Sequence, residues 1–226
     1  MISILTIELT KEMFIQALNY ARETYLIDNL RVRSEFVSFD SKLRGRLGEI
    51  GMINFLTQNG VKIHESNTLL ESNIDIDLTY QEDSGKKRTI EVKTSLIPDF
   101  LPNIEECLER MDIKFIKREQ HFTEIPVDIV VQMYYNQKTK QRDRFLNNIT
   151  GIPSDYSDPQ LIEVLGLNKL ELYFVSWINR DALFSYLRRT NRKTYKIAKR
   201  FFWSAPMGTI GKKPEDLAKF ILKSGE

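Results

Sequence analysis

The chain has 226 residues, 42% hydrophobic and 28% charged, and a net charge of only +2. Those figures fit a folded unit with a sizeable core and exclude a disordered or collagen-like chain. One cysteine, Cys107, and two histidines, His64 and His121, exclude a disulfide framework, a cysteine zinc site and a histidine-rich metal centre.

No apolar run approaches the roughly 18 residues of a spanning helix. Met1 to Glu8 lacks the charged and then apolar pattern of a leader. A cytoplasmic protein with no membrane contact is expected.

Leu9 to Asp28 reads as a helix opened by Leu9 or Thr10, with Phe14, Ala17, Leu18, Ala21 and Tyr25 at helical spacing. Arg31, Arg33 and Val37 give residues 29–39 weak strand character. Ser41 is expected to cap a second helix that runs to Gln58 and ends at Asn59-Gly60. Leu43, Leu47, Ile50 and Phe55 mark its buried side. Gly45, Gly48 and Gly51 leave another side nearly bare, suited to close approach by a sheet or by nucleic acid. Val61 to His64 is a short strand.

Ile74 to Tyr80 alternates strictly between apolar and polar residues, and so does Thr89 to Thr94. The polar stretch Gln81 to Lys87, with Gly85, makes the pair a hairpin. A turn centred near Ser84 sets Asp77 opposite Glu91 and Asp75 opposite Lys93, all on one face. Such a cluster of carboxylates around one ammonium is costly unless a cation sits among them.

Asn103 to His121 is expected to be one long helix after Pro102, with Glu105 and Glu106 in its first turn. Val127 to Tyr134 is nearly all apolar, as a strand covered on both faces requires. Residues 136–169 read as an edge insertion carrying Lys138, Lys140, Arg142 and Arg144, with a helix near Pro159 to Leu165. Leu170 to Ile178 is a strand, Asp181 to Arg189 a helix, Thr194 to Phe202 a strand and Pro214 to Lys223 a closing helix.

An acidic residue opening a hairpin, followed by Ile90-Glu91-Val92-Lys93 on the second strand, resembles the PD-(D/E)XK nuclease superfamily, the restriction-endonuclease-like fold. Glu49, in Leu47-Gly48-Glu49-Ile50, stands where many members carry a helix glutamate. No proline precedes the acid, because Asn73-Ile74 stands there. The resemblance covers residues 40–135.

The resemblance implies an α/β fold, with a central mixed sheet flanked by helices and a core ordered αβββαβ. The chain would be a single nuclease domain: a helical lead-in over 1–39, the core over 40–135, the insertion over 136–169, and C-terminal strands and helices over 170–226. It implies Mg²⁺-dependent hydrolysis of DNA phosphodiesters, with Mn²⁺ able to substitute, in a restriction or defence setting. Asp77 and Glu91 would bind the metal, with the Val92 carbonyl a further ligand. Glu49 would orient the metal shell or help to form a second metal position, and Lys93 would contact the attacking water or a phosphate oxygen. Asp75 competes with Asp77 for the ligand role, and Asp77 has the simpler register. A DNA-binding protein that keeps the fold without activity, or a ribonuclease, would share these features.

Charge is unevenly spread behind the near-neutral total. Ala182 to Pro214 has no acidic residue but carries Arg188, Arg189, Arg192, Lys193, Lys196, Lys199, Arg200, Lys212 and Lys213 among aromatics. Beside a metal cleft this strip would hold a phosphate backbone. Lys42, Arg44 and Arg46 form a second candidate contact, and Lys114, Lys117 and Arg118 a third. A homodimer would let two sites address two strands.

Overall fold

The computed structural model of the chain describes residues 3–27, 34–65, 76–82, 84–116, 121–191, 193–196 and 200–223. Strand β1 (Leu5–Ile7) leads into helices α1 (Lys11–Thr24) and α2 (Glu35–Gln58). Strands β2 (Ile63–Glu65), β3 (Leu78–Gln81) and β4 (Lys87–Ile97) follow, then α3 (Ile104–Arg110), β5 (Asp112–Ile116) and β6 (Ile129–Lys138). The rest is α4 (Thr139–Asn147), α5 (Asp158–Val164), β7 (Leu172–Asn179), α6 (Arg180–Thr190), β8 (Lys193–Lys196), β9 (Arg200–Pro206), α7 (Met207–Ile210) and α8 (Asp216–Lys223).

The main sheet is mixed and six-stranded, in the order β1-β7-β6-β4-β3-β2, and helices flank it. Among the described residues only β4 and β6 pair in parallel; the other neighbours are antiparallel. Strand β6 shows why an unbroken apolar run was needed. Ile129, Val131, Met133 and Tyr135 enter one core with α1, α2, α5 and α8. Val130 and Tyr134 enter a second core with α3, α6 and α7. A separate three-stranded sheet, β5-β9-β8, covers that second side.

Helix α2 lies tight against the main sheet. A Cβ on Gly48 would overlap Thr94 Cγ2, and one on Gly51 would lie 3.0 Å from Ile7 Cγ2 and 3.2 Å from Leu172 Cδ2. Two of the three glycines thus serve helix-on-sheet packing. Gly45 has nothing within 4 Å of a built Cβ.

Several local expectations give way to tertiary structure. Helix α2 begins at Ser34, whose hydroxyl accepts from Val37 N–H, rather than at Ser41. Ser41 sits inside the helix, its hydroxyl donating to the Val37 carbonyl at 2.8 Å. The expected helix over 103–121 ends at Arg110, and Asp112–Ile116 becomes β5, paired antiparallel with β9. The strand expected over 194–202 is a hairpin of β8 and β9. Strand β1 and helix α4 carry no strong local pattern and stand outside the expected elements. Among the described residues no helix is long and apolar enough to cross a membrane.

Candidate active site

The hairpin register is the one its alternation dictates. Leu78 pairs with Ile90 and Thr79 with Thr89. Continued by one residue, that register sets Asp77 opposite Glu91. Asp77 lies just before β3, and its Oδ2 accepts from Val92 N–H at 2.6 Å. A side chain therefore takes over where the β3 ladder stops. Gln132 Nε2 donates to the Lys93 carbonyl at 3.2 Å from the β6 side. By alternation the Val92 backbone, carbonyl included, faces the Asp77 side of β4.

Charge collects around Asp77. Burial raises its pKa well above the ordinary aspartate value; Glu49 and Glu91 add to the rise, while the Val92 bond and Lys93 oppose it. Glu91 and Lys93 form an ion pair two residues apart on β4, and both side chains are mostly shielded from solvent. Glu49 is held by Arg46, Nη1 to Oε2 at 3.0 Å, and Arg46 also binds Glu65 at 2.7 Å. Burial raises the Glu49 carboxyl too, with the Arg46 bond and charge opposing it.

The groups do not share one face. Ile90 and Val92 enter the core beneath α2. Alternation therefore sends Glu91 and Lys93 to the opposite face of the sheet. Glu49 comes from the α2 side, so Asp77, at the strand end, is the point where the two sides meet. Among the described residues no three Asp, Glu, His or Cys side chains are grouped to hold a metal ion. Asp75, the other ligand candidate, lies outside the described residues.

The donors present fit a hard divalent cation in chemistry. They are carboxylates and a backbone carbonyl, with no thiolate or imidazole. Carboxyls such as Asp77 and Glu49, whose pKa is raised by burial and by neighbouring carboxylates, are what an added positive charge would relieve.

Sequence reading missed two neighbours of this group. Gln132, 3% exposed, is the one polar residue in the run Ile129–Tyr135, and it sits beside Lys93 on β6. Its Nε2 also donates to Ser95 Oγ at 3.1 Å and to the Met133 carbonyl at 2.9 Å. An amide interrupting an apolar strand was the available signal. The other is Arg46, expected on nucleic acid, which instead clamps Glu49.

Of the remaining expected nucleic-acid contacts, Arg44 must be corrected. It is 5% exposed and binds Asp40 Oδ1 at 2.8 Å and Gln137 Oε1 at 2.6 Å. It is a core arginine, out of reach of a backbone phosphate. Lys42 is half-buried and close enough to Glu49 to draw its pKa down. Arg188 and Arg189 are exposed in the last turn of α6. Lys193 opens β8, while Lys117, Arg118, Arg192 and Lys199 lie outside the described residues. No protein-family model, curated protein or solved structure matches the chain, so the case for a function rests on the site itself.

Proposed function

We propose that this protein is a metal-dependent DNA endonuclease with a restriction-endonuclease-like core. The observation that carries this reading is Asp77, a carboxylate just before β3 that is bonded to Val92 N–H and whose pKa burial, Glu49 and Glu91 raise. Asp77, Glu91 and the Val92 carbonyl would hold Mg²⁺ or Mn²⁺, with Glu49 supporting them. The ion, when bound, would neutralise phosphate charge and acidify a water. Lys93 would leave Glu91 to hold a phosphate oxygen or the attacking water. Gln132, bonded to the Lys93 carbonyl, would keep that part of β4 in place.

The face that Glu91 and Lys93 leave from is the face covered by α6 and the β5-β9-β8 sheet. Arg188 and Arg189, exposed in the last turn of α6, would be the groups that hold a phosphate backbone on that side. A cytoplasmic restriction or defence role, and a homodimer cutting two strands, belong to the same proposal.

Supercoiled plasmid with Mg²⁺ or Mn²⁺, beside an EDTA control and a matched structured RNA, tests the reading. Metal-dependent nicking or linearisation is expected. Lys93→Ala should lower it by about 10²–10³-fold, as losing a charge-stabilising donor does. Metal-dependent cutting of the RNA alone would assign a ribonuclease. One observation favours a second reading, a DNA-binding protein without activity: Glu49 and Glu91 approach from different faces. DNA binding with no cleavage in either metal would establish it.

A further inference from the structure

At the far end of the parallel pair lies a cavity of about 400 Å³ lined by Asp99, Lys138, Lys140, Gln141 and Arg144. The carboxyl ends of adjacent parallel strands are where open α/β sheets take ligands. Ile97, near the end of β4, pairs with Lys138, the last residue of β6. Among the described residues no carboxylate forms an ion pair with the Lys138, Lys140 or Arg144 side chain. Asp99 instead accepts from the Lys140 backbone N–H at 2.9 Å. The positive charge is therefore uncommitted, and it comes from side chains rather than from the end of α4.

The residue next in the chain to the lining residue Asp99 is aromatic. Phe100 follows Asp99 and is 69% exposed. Its exposure is built in. Leu101 N–H donates to the Pro98 carbonyl at 3.0 Å, closing a tight turn. Leu101, 1% exposed, anchors that turn in the second core, and Asp99 ties it to α4. A phenylalanine carried on a turn fastened at both sides has no route into the core.

Three cations around a concavity that also holds the Asp99 carboxylate, with an exposed aromatic side chain on the adjoining residue, match the recognition of single-stranded nucleic acid. Cations track the phosphates, and a flat ring stacks an unpaired base of any identity. A duplex keeps its bases stacked inside and offers nothing to Phe100. Lys93 and Ile97 are four residues apart on β4, about 13 Å at strand rise, so the cavity lies within a few nucleotides' reach of the candidate active site. We propose that this turn and cavity bind an unpaired polynucleotide strand, its phosphates on Lys138, Lys140 and Arg144 and a base on Phe100. The proposal rests on the reading of the chain as a nucleic-acid protein but not on cleavage.

Fluorescence anisotropy in EDTA tests it, with a labelled oligothymidylate, an oligouridylate and a duplex of equal length. Failure of cleavage alone leaves this test intact, because no metal is present. Tighter binding of the single strands is expected, with the two single-stranded arms separating DNA from RNA. Phe100→Ala should weaken that binding by about 5- to 100-fold, the usual loss of one stacked base. Phe100→Trp should restore it and show quenched indole emission on binding. Lys140→Ala with Arg144→Ala should flatten the slope of log affinity against log salt by about 0.7 for each phosphate no longer neutralised. Equal or tighter duplex binding, no binding of either single strand, or full affinity in Phe100→Ala overturns the proposal.

Discussion

Two groups of charged residues lie along α2, one around Arg44 and one around Glu49, and they are built on opposite terms. In the first, Asp40 accepts from Arg44 Nε at 2.8 Å and from Arg142 Nη1 at 3.2 Å. Gln137 and the ring of Tyr135 complete the surroundings of Arg44, and only Arg44 Nη1 lacks a partner. Arg142 also pairs with Asp143 at 2.7 Å, so cations and acids balance, and the groups are locked by directed bonds. In the second, four acids, Glu49, Asp77, Glu91 and Glu65, share three cations, Arg46, Lys93 and Lys42, and the Asp77 and Glu49 pKa values are raised. The same residue types thus build a bolt in one place and an unbalanced acidic site in the other. Excess acid costs stability in the resting protein, and such a cost persists where a ligand relieves it.

Breaking the bolt should have the largest effect. Arg44→Ala leaves Asp40 buried with one partner fewer and Gln137 without its donor. Loss of one member of a buried pair costs about 3–5 kcal/mol. Urea denaturation should show that drop. A loss below about 1 kcal/mol would mean that the two groups do not differ as described.

Relaxing the acidic site should act in the opposite direction. A carboxyl whose pKa is raised by folding contributes stability that is full below its unfolded value, near ~4. That contribution is lost as pH rises through the folded value. Asp77→Asn mimics the protonated form and can still accept from Val92 N–H. It should stabilise the protein at pH 8 by about 1–3 kcal/mol, the cost of a poorly compensated buried group. Wild type and variant should converge below pH 4, as followed by thermal melts across pH. Mg²⁺ sharpens the contrast. If it binds, the wild type gains about 2.7 kcal/mol at a hundred times the dissociation constant, and Asp77→Asn does not. A pH-independent difference, with no effect of Mg²⁺ on either protein, would remove the acidic site from the comparison.

These differences trace how far the sequence could be read. The β3–β4 register was legible because both strands alternate strictly and Gly85, at φ +83°, closes the turn between them. Alternation also placed Glu91 and Lys93 on one face. It could not say that α2 would cover the other face, because that depends on Gly48 meeting Thr94. Arg44 was misread for a related reason. Its partner Gln137 is 93 residues away, and a lone arginine on a helix carries no mark of the face it occupies. Strand β5 was hidden in the same way. Helical periodicity carried on through residues 111–116, but pairing with β9, far along the chain, decided the outcome. Local pattern fixed the hairpin; distant partners decided what surrounds it.

The glycines of α2 give the smallest tests and bear on both groups, since Arg44, Gly45, Gly48 and Glu49 lie on consecutive turns of one helix. Gly48→Ala forces a methyl group onto Thr94 Cγ2 and pushes α2 off β4 near Val92. Overpacking of this kind costs about 1–3 kcal/mol. Thr94→Ala in the same chain should return most of the loss, a coupling that a double-mutant cycle measures. Full additivity of the two changes would show that the helix does not rest there. Gly45→Ala differs because a Cβ there meets nothing within 4 Å. Freed of glycine's backbone entropy, the helix should gain about 0.5–1 kcal/mol. A gain in stability with unchanged affinity for nucleic acid would assign the bare side of α2 to solvent. The same gain with weakened affinity would mean that a ligand backbone approaches Gly45 as closely as the sheet approaches Gly48.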